Sequence, residues 1–405
     1  PNLDALAQRG IRFSRFYTSP ICSPTRAMLL SGNDNHIAGI GVQNYRSEQF
    51  GYEGQLSDRV VPIPVILRDA GYDTYIAGKW HLGLGPQNDP VQKGFSRSFV
   101  SILGASNHYN GDGLLMDDAN IYTENGNSAS WPEGQFSTDV YTDKLLEFLK
   151  ADEENDKPFF AYAAYTAPHW PLQVDEKYWK KYEGRYDQGY EVLRRERLES
   201  LKEAGMIPVE ASLPDLHPLV QPWESLSEDE KKRESRKMEL YAGMIDNMDE
   251  NIGRIISYLK SSGQYDNTLI IFMSDNGAGD EDYYNNEYFS EYLQSRYDNS
   301  YENMGKPGSF VSYGPPWAEA GSAPFRYFKG YLTEGGIRAP MLIAGPGVTV
   351  TGAISHGLVT VMDIAPTFYE AAGTSYPDNP DLYPLKGSSL LPYAGGKSPE
   401  VHPPE

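Results

Sequence analysis

Four short apolar segments that alternate with helix-like segments constrain the fold of this chain more than any other feature. The apolar segments, which we predict to be strands, span residues 73–77, 158–165, 268–273 and 341–344. The segments with a helical pattern span residues 62–70, 140–150, about 228–260 and 362–372. Continuous apolar strands that alternate with helices are typical of a mostly parallel sheet covered by helices on both faces. We therefore predict an α/β fold with a mostly parallel central sheet.

Reactive side chains follow three of these strands directly. Lys79 and His81 come after the first strand, His169 after the second, and Asp275 with Asn276 after the third. Because ligand sites in such sheets lie beyond the carboxyl ends of the strands, we expect these side chains to meet at one edge. The convergence of three strands is the first indication of a functional site.

The charge of the chain restricts its class of partner. The 405 residues carry a formal net charge of −21, whereas binding a nucleic-acid backbone requires a basic face. No apolar run in the sequence is as long as a membrane span requires. We therefore expect neither nucleic acid nor membrane as a partner. An anionic substrate would need a local cationic pocket.

The chain contains one cysteine, Cys22, so it forms no intrachain disulfide. In isolation a single cysteine indicates a small buried apolar residue. Here Cys22 opens a helical apolar run, and Pro24 suits the first turn of that helix. The thiol would lie at a helix N-terminus that favours negative charge, with Arg26 one turn away on the same face. The simpler alternative is a buried cysteine at a helix start with a surface arginine.

The strand-end residues have both a chemical and a structural interpretation. Lys79 and His81 point to one side of an extended segment, or they are a surface lysine beside a buried histidine. An imidazole such as that of His169 suits proton transfer near neutral pH, although a single histidine after a strand is more often structural. Asp275 and Asn276 offer oxygen ligands to Ca²⁺ or Mg²⁺, although Asp-Asn-Gly is also a turn signal.

Together these motifs resemble those of one enzyme family. The run Cys22-Ser23-Pro24-Thr25-Arg26, leading into Leu-Leu-Ser-Gly, is similar to the signature of the formylglycine-dependent (type I) sulfatases. The segment at 33–41 resembles the bacterial arylsulfatase branch, and the motifs at 78–83 and 333–340 occur in the order of the family. Thr25 and Ser31 depart mildly from the usual residues. The resemblance implies an alkaline-phosphatase-like α/β fold and the hydrolysis of sulfate esters.

The resemblance also implies roles for the residues of the site. A formylglycine-generating enzyme would convert Cys22 to formylglycine (3-oxoalanine), and one hydroxyl of its hydrate would attack the sulfur. His81 would take the proton of the second hydroxyl, and His169 would contact the sulfate and protonate the leaving group. Lys79 and Lys329 would bind the sulfate. The predicted catalytic residues are Cys22, Arg26, His81 and His169, the substrate-binding residues Lys79, His169 and Lys329, and the metal ligands Cys22, Asp275 and Asn276.

The expected metal is Ca²⁺, with Mg²⁺ as the alternative. The family normally adds two adjacent Asp ligands from a strand near its N-terminus. Asp117-Asp118 does not fit that pattern, because it follows no predicted strand. We therefore expect residues 1–405 as they stand to bind metal poorly, which would leave them inactive.

The resemblance also suggests a domain organisation. We expect residues 1–380 to form the catalytic domain without its N-terminal strand. Residues 381–405 would lead toward a smaller C-terminal sheet subdomain outside the chain. Any signal peptide would precede Pro1, and the habits of the family weakly favour a periplasmic over a cytoplasmic location.

A small aryl sulfate is the expected substrate, but two other functions stay open. One is a phosphonate monoester or phosphodiester hydrolase of the same superfamily, and the other is an inactive sulfatase-like binding protein. Two insertions are predicted, a charged helical one at 178–237 and a tyrosine-rich one at 280–303. We predict the second to be a surface loop, with a wall of the substrate pocket as the alternative. Glu334 and Arg338 are expected to form a structural pair.

Overall fold

The computed structural model describes residues 1–113 and 122–402. The helices are α1 (Asn2–Arg9), α2 (Cys22–Ser31), α3 (Ile63–Asp69), α4 (Ser137–Ala151), α5 (Glu176–Trp179), α6 (Tyr190–Glu203), α7 (Glu228–Ser261), α8 (Ser290–Arg296), α9 (Gly314–Ser322), α10 (Glu334–Ile337), α11 (Ile364–Ala371) and α12 (Leu391–Ala394). The strands are β1 (Ile11–Phe13), β2 (Phe16–Tyr17), β3 (Asp73–Lys79), β4 (Arg97–Ser101), β5 (Tyr122–Glu124), β6 (Asn127–Ala129), β7 (Phe159–Ala164), β8 (Ile270–Met273), β9 (Met341–Ala344), β10 (Ala353–Ser355) and β11 (Val359–Thr360).

The described strands form two main sheets and a two-stranded pair. The larger sheet has the order β6-β5-β4-β3-β7, and β3 runs parallel to both β4 and β7. The second sheet has the order β10-β1-β9-β8, in which β9 runs antiparallel to β1 and β8. Strand β11 pairs with β2 in parallel. The α/β class is confirmed, and the four predicted strands appear as β3, β7, β8 and β9.

Helices cover both faces of the larger sheet, as the alternation along β3 requires. Tyr75 and Ala77 pack with α4 in one hydrophobic cluster. Ile76, between them, packs in another cluster with residues of α2, α3 and α11. Successive side chains of a strand point to opposite faces, so β3 is buried on both sides.

Two strands are less buried than their apolar sequences predict. Every residue of β8, and every residue of β7 except Ala164, is only partly buried. Among the described strands, β7 pairs only with β3 and β8 only with β9, so each has one edge without a strand partner. Both strands line a single cavity of about 1640 Å³ that also reaches α1 and α11. In the described chain β7 and β8 are therefore only partly buried, because both face this cavity.

The structure agrees with the prediction for one of the two insertions and differs from it for the other. The segment at 178–237 contains α6 and the start of α7, so its helical character is confirmed. The segment at 280–303 is not a simple surface loop. Its Tyr283, Leu293 and Tyr297 pack with Trp170 and Phe310 in a hydrophobic cluster. The alternative, a wall of the substrate pocket, stays a prediction.

The last described residues pack against the body of the domain. Leu390, Ala394 and Val401 belong to the hydrophobic cluster that includes β1 and β9. The division of the chain at residue 380 stays a prediction.

Within 1–113 and 122–402, no helix combines the length and the apolar character that crossing a bilayer requires.

Candidate active site

Cys22 is the first residue of α2, as the position of Pro24 predicts. The whole helix is buried, and the Cys22 side chain is 2 % exposed. No described side chain caps the start of α2, so its first-turn N–H groups add positive potential around Cys22. Ser23 fixes the helix start by donating from Oγ to the carbonyl of His81 at 2.6 Å. The structure thus holds Cys22 where a negative charge is stabilised.

Arg26 joins α2 to the end of β3 and to the turn after β8. Its guanidinium donates from Nε to the carbonyl of Trp80 at 2.9 Å, and from a second nitrogen to the carbonyl of Lys79. A third nitrogen lies 3.8 Å from Oδ2 of Asp275. The side chain is therefore engaged in holding three motifs together. Its role as a cation beside the nucleophile stays a prediction.

His81 lies in a constrained position after β3. Its φ of +58° is unusual for a residue with a side chain. Its ring packs against Gly104, where a Cβ would lie 2.5 Å from Cε1. Its Nδ1 is buried and has no hydrogen-bond partner among the described residues. Burial, followed by the nearby charges with Lys79 foremost, holds the pKa of His81 well below its ordinary value. A neutral imidazole with a free nitrogen suits the predicted role of a base.

His169 and Lys329 meet although they are 160 residues apart. Nε2 of His169 lies 3.5 Å from Nζ of Lys329. Nδ1 of His169 donates to the carbonyl of Trp170 at 2.9 Å, so Nε2 is the unprotonated nitrogen that faces the ammonium. Burial, and next the charges of Lys329 and Lys79, keep the pKa of His169 well below its ordinary value. The imidazole is therefore neutral near pH 7, next to a permanent cation.

Lys329 is also paired with a carboxylate that the sequence analysis missed. Its side chain is 4 % exposed, and Nζ lies 2.7 Å from Oε1 of Glu281. The other oxygen of Glu281 accepts a hydrogen bond from Nε1 of Trp170 at 3.2 Å. Burial lowers the pKa of Lys329, but the charges of Cys22, Glu281 and Asp275 outweigh it and raise this pKa above its ordinary value. Lys329 is thus a permanent cation within range of Cys22.

His108 is a second residue that the sequence analysis missed. It is 1 % exposed, and its Nε2 donates to the carbonyl of His169 at 3.0 Å. Its Nδ1 accepts from Oγ of Ser137 at 2.6 Å. Burial lowers the pKa of His108 to about 4. His108 therefore supports the backbone at His169 as a neutral side chain. Its segment carries no motif that would have identified it.

Asp275 and Asn276 follow β8 directly, as predicted. Nδ2 of Asn276 donates to the carbonyl of Gly277 at 2.8 Å, whereas its Oδ1 is buried without a hydrogen-bond partner among the described residues. A buried amide oxygen beside a carboxylate suits a hard divalent cation. Outside residues 114–121 and 403–405, no group of three or more His, Cys, Asp or Glu side chains is placed to hold a metal. The two residues therefore form a partial ligand set, and Asp117-Asp118 lies outside the described residues.

The glycines at 335 and 336 support this turn through the backbone. The N–H of Gly277 donates to the carbonyl of Gly336 at 2.9 Å. A Cβ on Gly277 would lie 1.9 Å from the carbonyl oxygen of Gly335, so the two segments meet without room for side chains. Glu334 and Arg338 form an ion pair of 2.9 Å, which confirms the predicted structural pair.

The cavity that separates β7 from β8 also collects most of the predicted site. The predicted residues that line it are Arg26, Lys79, His169, Asp275, Asn276 and Lys329. Cys22 and His81 lie outside its lining, yet both are within electrostatic range of Lys329. The eight predicted residues therefore surround one region, and the individual role of each stays a prediction.

Comparisons with known proteins agree with this arrangement. The family model described as Sulfatase matches residues 1–374. An uncharacterized sulfatase of Schizosaccharomyces pombe is 42% identical over 395 residues, which are 93% of this chain and 71% of the relative. An arylsulfatase of Klebsiella aerogenes is 40% identical over 380 residues, which are 92% of this chain and 81% of the relative.

A solved structure extends the agreement to the fold. The crystal structure of Ps i-CgsB in complex with k-i-k-neocarrahexaose superposes with a TM-score of 0.64 at 26% identity, and the match covers 97% of this chain and 70% of that one. The fold is alkaline-phosphatase-like. On the strength of the family match and these relatives, the chain belongs to the sulfatase family and is a sulfuric ester hydrolase.

Proposed function

We propose that this sulfatase hydrolyses small aryl sulfate esters by means of a formylglycine made from Cys22. The observation that carries the proposal is the position of Lys329. One buried ammonium lies 3.5 Å from Nε2 of His169 and within electrostatic range of Cys22 and Asp275. A sulfate group in contact with Lys329 would therefore lie near both the nucleophile position and an imidazole. The similarity to an arylsulfatase supports an aryl leaving group.

The aldehyde hydrate at position 22 would supply an oxygen nucleophile that cysteine itself lacks. The side chains of the site prepare the anion for attack. Lys79 and Lys329 bind the sulfate oxygens and offset the charge that develops on them. His169 starts neutral, and a bound anion raises its affinity for a proton, which it can then pass to the leaving oxygen. His81, with its free buried nitrogen, accepts the proton released at position 22.

We further propose that Ca²⁺ binds at Asp275 and Asn276, with the modified Cys22 as a third ligand. The orphaned Oδ1 of Asn276 supports this assignment, because a cation would give that atom the partner it lacks. A divalent ion there would make the nucleophilic hydroxyl more acidic and offset charge on the sulfate. Mg²⁺ is the alternative.

The remaining metal ligands, we infer, come from a further strand between β7 and β8. Each of these strands has an edge without a strand partner in the described chain, and the cavity between them reaches Asp275 and Asn276. A strand that enters there would pair with both edges, and its end would arrive beside the partial ligand set. Until that strand is supplied, we expect weak metal binding.

Two measurements test the proposed function. Mass spectrometry of the Cys22 peptide, from protein coexpressed with a formylglycine-generating enzyme, should show the aldehyde in place of the thiol. A thiol in that material would favour an inactive binding protein. Rates on an aryl sulfate and an aryl phosphodiester, measured side by side, should favour the sulfate. A preference for the diester would instead support the phosphonate monoester or phosphodiester hydrolase.

A further inference from the structure

The pairing of Glu281 with Lys329 poses a problem for a site that binds anions. Lys329 lies 2.7 Å from a carboxylate oxygen of Glu281, so the cation that faces the sulfate already has a negative partner. Glu281 is an integral part of this arrangement, because its other oxygen accepts from Trp170 at 3.2 Å. Its side chain is 24 % exposed. A sulfate that contacts Lys329 must therefore approach a fixed carboxylate.

Glu281 is ionised in this position. Burial opposes its ionisation, but the Lys329 ammonium outweighs burial and keeps the pKa of Glu281 below its ordinary value. Burial and the charge of Glu281 raise the pKa of the neighbouring Asp280 to about 6, so Asp280 is also mostly ionised at neutral pH and above. Glu281 thus contributes a full negative charge at neutral pH.

A second cation of the site is also paired with a carboxylate. Arg26 lies 3.8 Å from Asp275, as Lys329 lies beside Glu281. Lys79 forms no ion pair with any residue that the structure describes. Without a metal, these five side chains therefore sum to a single positive charge, most of which the ionised Asp280 offsets above pH 7. A site with so small an excess of positive charge suits a ligand that carries one negative charge better than a ligand that carries two.

We propose that Glu281 selects ligands by charge, favouring monoanionic sulfate esters over dianions of the same shape. A sulfate ester carries one negative charge, whereas a phosphate monoester carries nearly two above its second pKa of about 6. Repulsion from a fixed carboxylate grows in proportion to the charge of the ligand. The dianion therefore loses more affinity than the monoanion, even though both contact Lys329 in the same way.

The same repulsion acts on the product. Hydrolysis of a sulfate ester releases inorganic sulfate, which is a dianion, from a site that admitted a monoanion. Glu281 therefore promotes release of the product as well as rejection of phosphate monoesters. This inference rests on the proposed function only in that Lys329 contacts the transferred sulfate.

Glu281→Gln tests the inference, because the amide keeps the shape and its one oxygen can still accept from either Trp170 or Lys329, while the charge is lost. The matched control is Asp282→Asn, which removes a carboxylate of the same loop that bonds Asn285 and Ser312 rather than Lys329. The probes are inorganic sulfate as the dianion and methyl sulfate as the monoanion. Their binding to mature protein is measured by calorimetry at pH 8, and their inhibition of aryl sulfate hydrolysis is measured in parallel.

In Glu281→Gln we expect the affinity for inorganic sulfate to rise about tenfold more than that for methyl sulfate, which corresponds to about 1.4 kcal/mol. The ratio of kcat/KM for an aryl phosphate to that for an aryl sulfate should rise by a similar factor. Asp282→Asn should change neither ratio. Equal effects on both probes, or no effect on either, would overturn charge selection and leave Glu281 as a support for Lys329. Binding without any turnover of aryl sulfate would contradict the proposed function but leave the charge-selection test intact.

Discussion

Nε2 of His169 and Nζ of Lys329 lie 3.5 Å apart, with the lone pair of the imidazole directed at the ammonium. Protonation of His169 would place two positive charges in contact. A bound anion would offset one of them. The pair therefore couples the protonation of His169 to the presence of an anion in the site.

This coupling predicts how the histidine titrates. Because burial and Lys329 lower the pKa of His169, its imidazole should stay neutral from pH 8 down through pH 6.5 in the free protein. Lys329→Met removes the second cause, so the pKa of His169 should rise while staying below its ordinary value. Nuclear magnetic resonance of the imidazole protons checks both statements, with Lys397→Met, an exposed change, as the control. A normal titration of His169 in the unaltered protein would contradict the assignment.

The burial of His108 makes the free energy of unfolding depend on pH. Its folded pKa is about 4, below the ordinary histidine pKa of about 6.5, so the unfolded chain binds the proton first. The stabilisation is complete above pH 6.5 and is lost as the pH falls toward 4. Between pH 6.5 and 5 the free energy of unfolding should fall by about 2 kcal/mol from this residue alone. Urea unfolding of His108→Gln should show a smaller pH dependence. His36→Gln, at a side chain that is 44% exposed, serves as the control, and an unchanged slope in His108→Gln would refute the prediction.

We expect that lysine cannot replace Arg26 without a loss of stability. Lysine cannot bridge the carbonyls of Lys79 and Trp80 and reach Asp275 at the same time. We expect Arg26→Lys to lower the free energy of unfolding by about 2–4 kcal/mol, because buried acceptors lose their donors. Chemical denaturation measures the change. Arg68→Lys, at an exposed side chain paired with its neighbour Asp69, should change stability little. If the two variants were equally stable, the contacts of Arg26 would not contribute to holding these three motifs together.

Gly104 should matter for activity more than for folding. A Cβ at this position would lie 2.5 Å from Cε1 of His81, so the ring must move. A displacement of about 1 Å at a reacting group costs on the order of 100-fold in rate. Steady-state kinetics of Gly104→Ala should show a loss of that order, with a melting temperature close to that of the unaltered protein. Gly308→Ala, where a Cβ would meet Asn303 at an ordinary 3.6 Å, is the matched control. Full activity in Gly104→Ala would argue against a base at His81.

Asn276 should behave differently with and without calcium. In the presence of a chelator, Asn276→Leu loses the hydrogen bond from Nδ2 to the carbonyl of Gly277 but also removes a buried Oδ1 without a partner among the described residues, so it should cost only about 1 kcal/mol of stability. With Ca²⁺ at millimolar concentration the unaltered protein should gain melting temperature, because the ion binds only the folded state, and the variant should not. Thermal scans with calcium or EDTA make the comparison. Asp266→Asn, at a side chain that is 98% exposed, should keep the gain. A gain of equal size in Asn276→Leu would place the metal elsewhere.

The parts of the fold that the sequence predicts are those with a local signal. Strand β9 is found at the predicted residues, and α7 begins at Glu228 because Ser227 and Glu230 form a capping box. The strand-end rule located Lys79 and Asp275, since Lys79 ends β3 and Asp275 lies just after β8. Cys22 was placed by a different local signal, because the proline two residues later marks the first turn of a helix.

The residues that were missed depend on contacts between distant segments. His108 bonds the carbonyl of His169, 61 residues away, from an irregular segment. Glu281 reaches Lys329 across 48 positions, and its neighbouring tyrosines suggested a solvated loop. No period or motif records such contacts, because they arise only when the loops pack.

The cavity between β7 and β8 has a consequence for the behaviour of this chain in solution. Each edge presents main-chain N–H and C=O groups that no described strand satisfies. An extended segment from a second molecule that entered the cavity would form ladders on both sides and cover the apolar side chains that line it. An added short peptide of strand-forming sequence should therefore bind in this cavity wherever the two edges stay open.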